Sequence, residues 1–153
     1  LVLREEKGYT YGARTSLNAL KNYGTFVASS AVRSTATLES VEIFRDLMAG
    51  YREGVTQEDV DFTKNALLKG NALRFETQRA LMGMLNTMST YGLPDDYIAQ
   101  EENYVKQLTV DEVNSMVQKY IDPLKMYYVV AGDGATQLKE MKKLGFGEPV
   151  LIK

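Results

Sequence analysis

The stretch Leu3-Arg-Glu-Glu-Lys-Gly-Tyr-Thr-Tyr-Gly12 decides how the chain is read. It has the pattern of a last helical turn running through a glycine into a strand. Glycine is favoured just after a helix because the backbone there passes into a left-handed conformation that strains any residue with a Cβ. Arg4 falls at the helical end and Gly8 at the turn. Tyr9, Tyr11 and Ala13 then share one strand face by the two-residue repeat. A guanidinium and a phenol leaving one corner can grip a polar, extended ligand. The same spacing also fits a surface arginine with two half-buried tyrosines, and spacing alone does not choose between them.

Downstream of this corner, residues 9–18 and 24–33 read as two strands joined through Lys21-Asn-Tyr-Gly24, an antiparallel hairpin with a loose loop. The apolar period then changes to three or four. Leu38, Val41, Phe44, Leu47, Met48 and Tyr51 form a helical stripe, with Thr37 a candidate N-cap and Gly54 a stop. Thr56-Gln-Glu-Asp59 has the form of a capping box and opens a helix to Lys69 that carries Val60, Thr63 and Leu67 on one face. Leu73, Thr77, Leu81, Leu85 and Met88 predict a further helix, broken by Tyr91-Gly-Leu-Pro94. Pro94 suits the first turn of a helix to about Leu108. Thr109-Val-Asp-Glu112 is a second capping box, and Asp122-Pro123 ends the helix it starts.

Lys125-Met-Tyr-Tyr-Val-Val-Ala131 reads as a third strand, buried on both faces because the run is nearly all apolar. A turn at Gly132-Asp-Gly134, a short helix over 136–144, a stop at Gly145 and an edge strand at Val150-Leu-Ile152 complete the pattern. The fold class is α+β, an antiparallel sheet packed against helices. Three or four strands are few for five or six helices, and the chain opens on what reads as the end of a helix. Both features predict a unit truncated at its N-terminus, with strands upstream completing the sheet.

Composition excludes several kinds of chemistry. The 153 residues suffice for one domain with a core, and 44% hydrophobic with 25% charged residues is ordinary for a folded domain. The net charge of -2 supplies no basic field, and the aromatics are not interleaved with a basic cluster, so nucleic acid is not an expected partner. No apolar run approaches the roughly 20 residues of a membrane span. Cysteine is absent, which rules out disulfides and thiolate chemistry without fixing a compartment. Histidine is absent too, removing the commonest zinc ligand and the usual neutral-pH base. The pairs Glu5-Glu6, Asp95-Asp96 and Glu101-Glu102 diverge by about 100° on a helix, so they read as solvated faces rather than acid–base pairs. Met82, Met84 and Met88 read as core packing. No catalytic constellation and no metal site is expected within the chain.

The corner resembles the signature of the C-terminal, non-zinc domain of the pitrilysin/insulinase family of metallopeptidases, the inverzincins. The similarity extends through Gly54-Val-Thr-Gln-Glu-Asp59 with Lys64, Arg74-Phe-Glu-Thr77, Tyr91-Gly-Leu-Pro94, Leu108-Thr-Val-Asp-Glu-Val113, Tyr120-Ile-Asp-Pro123 and Val129-Val-Ala-Gly132. The resemblance implies an insulinase/pitrilysin-type metallohydrolase fold, with residues 1–153 the later part of one C-terminal peptidase domain. It also implies a homologous N-terminal domain, in the same protein or a partner subunit, carrying a His-x-x-Glu-His motif and the Zn2+. By motif position, Arg4 and Tyr11 would be the substrate-binding residues that approach a peptide near that zinc. Tyr9 stands where the family is usually hydrophobic, and is read as packing.

Three functions compete at this stage. The first is the substrate-contacting, non-catalytic part of a zinc metalloendopeptidase, inert by itself. The second is a relative that has lost proteolysis and serves as a structural or assembly subunit, as respiratory-complex core proteins do. The third is an autonomous binding module that uses the polar corner. Fold-level likeness does not by itself choose among them. An intact zinc motif upstream favours the first and a degraded one the second, whereas peptide binding by the isolated chain favours the third. Localisation is left open.

Overall fold

The computed structural model of the chain describes residues 2–71 and 73–152. In chain order these form a π-helical turn (Val2–Glu6), β1 (Ala13–Ala19), β2 (Gly24–Ser30), α1 (Thr37–Arg52), α2 (Gln57–Gly70), α3 (Gln78–Tyr91), α4 (Tyr97–Gln107), α5 (Val110–Tyr120) and α6 (Gly134–Met141), with short 3-10 turns between several of them. The architecture is α+β and rich in helix, with one two-stranded antiparallel sheet among the described residues. The chain divides into two units, residues 1–50 with 122–153, and residues 51–121.

In the first unit, β1 and β2 pair from Ala13↔Ser30 to Ala19↔Gly24. The loop closes with the Leu20 N–H donating to the Tyr23 carbonyl at 2.9 Å, so the expected hairpin and its turn are both present. β1 is exposed along its length, whereas Phe26, Ala28 and Ser30 of β2 alternate into partial cover. α1 follows a 3-10 turn at Ser34–Ala36, and Thr37 lies inside the helical run, its Oγ1 donating to the Ser34 carbonyl. Ala36 and Ser40 are buried there. Gln137 on α6 is buried as well and donates to the Ser34 carbonyl at 3.1 Å, tying the C-terminal segment to the start of α1. Tyr128 stacks on Phe146 with ring centres 4.7 Å apart, and its hydroxyl donates to the Pro123 carbonyl.

The expected third strand is not a ladder strand among the described residues. Residues 126–131 lie outside the two-stranded sheet, and burial alternates along them. Met126, Tyr128 and Val130 are partly covered, but Tyr127 is 98% and Val129 83% exposed. An apolar run does not enforce burial on both faces, because cover on the second face must come from another element. Val150-Leu-Ile152 likewise forms no strand and is exposed.

The second unit is helical. Both capping boxes form: Thr56 Oγ1 accepts the Asp59 N–H while Asp59 accepts the Thr56 N–H, and Thr109 and Glu112 repeat the exchange. Each box satisfies N–H groups that the first helical turn leaves without carbonyl partners. α2 packs against α4 and α5. Its covered row is Val60, Lys64 and Leu68 rather than the expected Val60, Thr63 and Leu67, and Leu67 faces outward. On α3 the covered row is Ala80, Met84 and Met88, while Leu81 and Leu85 are exposed. Leu73 was expected to start that stripe; it lies in a separate 3-10 turn, with Thr77 capping α3. Gly92 ends α3 at φ +63°, the left-handed finish expected of Tyr91-Gly-Leu-Pro94. Val117 of α5 is buried, and the Lys64 ammonium donates to the Leu108 carbonyl at 2.9 Å, across the junction of α4 and α5. Among the described residues, no helix is long and apolar enough to cross a membrane.

Candidate functional site

Leu3 anchors the corner at 3% exposure, and the turn around it closes through backbone bonds, the first from the Lys7 N–H to the Val2 carbonyl at 3.1 Å. Gly8 N–H donates to the Arg4 carbonyl at 3.2 Å and Tyr9 N–H to the Leu3 carbonyl at 2.9 Å. Those bonds use carbonyls that a helix end would otherwise leave open. Gly8 adopts φ +61°, so the glycine stands where the sequence required it. Arg4 projects outward from the turn, its Nε 3.4 Å from the Glu5 carboxylate.

The path beyond Gly8 differs from expectation. β1 begins at Ala13, so Tyr9 and Tyr11 precede the strand and do not share a strand face. A local turn intervenes. Thr10 Oγ1 accepts the Gly12 N–H at 3.1 Å and donates to the Gly12 carbonyl, and Ser30 Oγ donates to Thr10 Oγ1 at 3.0 Å. A short hydroxyl side chain that bonds the backbone two residues on is a turn former. Tyr11 sits at the tip of this turn, fully exposed.

Tyr9 is partly buried and committed. Its hydroxyl donates to Glu39 Oε2 at 2.5 Å, and the Arg33 guanidinium lies 4.8 Å from the centre of its ring. Lys7 donates to the other oxygen of Glu39 at 2.7 Å. The Lys7 hydrogen bond, then that of Tyr9, holds the Glu39 carboxyl below the usual range. The same carboxylate pushes the Lys7 ammonium and the Tyr9 phenol up. Arg33 and Glu39 carry no local sequence signal, because they join the corner only through the fold.

Several other features singled out in the sequence have structural partners, and Met82 does not join the expected core packing. Glu101 pairs with Arg74 at 2.5 Å, Glu102 accepts from Asn71 at 2.9 Å, and Asp96 accepts from Gln100. Met84 and Met88 line a cavity of about 170 Å³ with Arg74, Phe75, Thr87 and Tyr97, whereas Met82 is exposed. Among the described residues, no group of three or more His, Cys, Asp or Glu is placed to hold a metal ion. With no histidine in the chain, the residues present do not fit a zinc site.

Residues 1–67, which contain the corner, β1, β2, α1 and most of α2, match the family model described as the peptidase M16 inactive domain. No curated protein matches the chain. Among solved structures, the crystal structure of a peptidase M16 inactive domain from Pseudomonas fluorescens has the same fold, with a TM-score of 0.70 and 24% identity. The likeness covers 79% of this chain and 29% of that one, so the chain spans less than a third of that relative. Sequence over residues 1–67 is similar to the peptidase M16 inactive domain, and the fold over most of the length is that of a solved domain of this description.

Proposed function

We propose that this chain is the substrate-contacting, non-catalytic portion of a zinc metalloendopeptidase, working opposite a homologous N-terminal domain that holds the metal. The observation that carries the reading is the corner at residues 3–12. It lies inside the stretch that matches the inactive-domain family, and it leaves Arg4 and Tyr11 turned to solvent while Tyr9 is occupied internally. Among the described residues no group is placed to hold the metal, and the part proposed for the chain is to bind and orient a peptide. A guanidinium holds a peptide carbonyl or a substrate carboxylate in fixed geometry. A phenol hydroxyl donates to an oxygen on which negative charge develops. Arg4 takes the first role and Tyr11 the second.

The test is kinetic and uses the intact two-domain protein. Tyr11→Phe lowers kcat with little change in KM, because the lost bond matters most in the transition state. Arg4→Ala raises KM. An unchanged kcat in Tyr11→Phe rejects the role. If the opposite domain lacks an intact His-x-x-Glu-His motif, the assembly-subunit reading replaces this one.

A further inference from the structure

We infer that Glu39 is the positioning residue of this corner, a carboxylate clamp that fixes the path of the chain on both sides of Gly8 and so sets where Tyr11 stands relative to Arg4. The inference rests on the peptide-contacting role proposed for those two residues.

The geometry is specific. Glu39 spends one oxygen on Lys7 at 2.7 Å and the other on Tyr9 at 2.5 Å, the two residues flanking Gly8. Gly8 at φ +61° is a joint of wide conformational freedom, and nothing lies within 4 Å of its missing Cβ. A clamp across it removes that freedom. Tyr9 is held twice more, by the Arg33 guanidinium over its ring and by the Arg33 N–H donating to its carbonyl at 3.4 Å. Glu39 itself stands in the first turn of α1, between the buried Ala36 and Ser40, so the clamp is mounted on a packed element. A group that must meet a ligand in one geometry needs such support from side chains that do not themselves touch the ligand.

Exposed ion pairs contribute little to global stability, and the clamp is proposed to order the corner rather than to hold the fold. The two effects separate experimentally. In the intact two-domain protein, Glu39→Ala raises amide exchange at Tyr9 and Gly12, the two bonded N–H groups, by roughly tenfold while other segments keep their protection. Its melting temperature is unchanged, and kcat/KM for a peptide falls. Glu39→Gln, which keeps an acceptor for the Tyr9 hydroxyl, recovers part of both effects. Unchanged exchange at Tyr9 and Gly12 in Glu39→Ala overturns the clamp, whatever the activity does. Loosened exchange with kcat/KM intact overturns the positioning role. The exchange readout needs no substrate, whereas Tyr11→Phe kinetics test the peptide-contacting role directly, so failure of one is not mistaken for failure of the other.

Discussion

The side-chain carbonyl of Asn114 accepts the backbone N–H of Val55 at 2.8 Å, joining the turn before α2 to the middle of α5. The same amide lies 3.5 Å from where a Cβ on Gly54 would stand, and Gly54 has φ +125°. Asn114→Ala therefore leaves a partly buried N–H without its partner and costs about 1–3 kcal/mol. Gly54→Ala strains the backbone at this positive φ while leaving the amide at ordinary contact distance, with a cost of roughly 1–3 kcal/mol. Urea unfolding checks both: the midpoint falls and the slope is unchanged.

Thr56→Ala and Thr109→Ala each remove an N-cap and should each cost about 1 kcal/mol. The caps also make stability depend on pH. The backbone N–H of Thr109, then its hydroxyl, holds the Glu112 carboxyl below the usual range; the Thr56 hydroxyl, then its N–H, does the same for Asp59. A depressed carboxyl contributes stability that is present above its unfolded pKa of about 4 and is lost as pH falls through the lower folded value. The Thr→Ala variants should accordingly lose less stability on acidification than the parent, as followed by unfolding midpoints from neutral pH downward.

Arg52, the last residue of α1, donates from Nη1 to the carbonyls of Gln118 and Ile121 at 3.0 and 2.5 Å, and from Nη2 to the Gln118 side chain at 3.0 Å. Gln118 returns a bond to the Arg52 carbonyl. A cationic fork here takes up carbonyls left open at the end of α5. Lysine offers a point charge without the fork. Arg52→Lys should cost on the order of 1 kcal/mol and Arg52→Ala more. Thermal melting should rank parent, lysine and alanine in that order.

The Glu39 clamp has its own pH window. The Glu39 carboxyl is depressed chiefly by the Lys7 hydrogen bond, so its contribution is in place above about pH 4.3 and disappears as pH drops through the folded value. Lys7, raised chiefly by its bond to Glu39, contributes below about pH 10.4 and loses that contribution as pH rises through its higher folded value. Amide exchange of Tyr9 and Gly12, corrected for intrinsic rates, should therefore stay flat through neutrality and accelerate in acid. A flat acid limb would contradict it.

Local chemistry was legible in the sequence where it was self-contained. The capping boxes at Thr56 and Thr109, the glycine finishes at Gly8 and Gly92 and the 20–23 hairpin loop each need only neighbouring residues. The phase of the apolar stripes was less legible. α2 and α3 carry apolar residues over a wide arc, and packing selected the rows through Lys64 and Met84, which the stripes through Leu67 and Leu85 do not show. The corner was legible as a corner, with Arg4 and Gly8 in place. The Thr10 turn that delays β1 depends on Ser30, and the Glu39 clamp depends on α1, so neither could be read from residues 3–12 alone.

The open run at 126–131 carries a practical consequence for handling the protein. It lies outside the sheet of the described residues and bares Tyr127 and Val129 on one side, an apolar strip in contact with water. Val129→Lys should therefore lower the light scattering of concentrated samples relative to the parent.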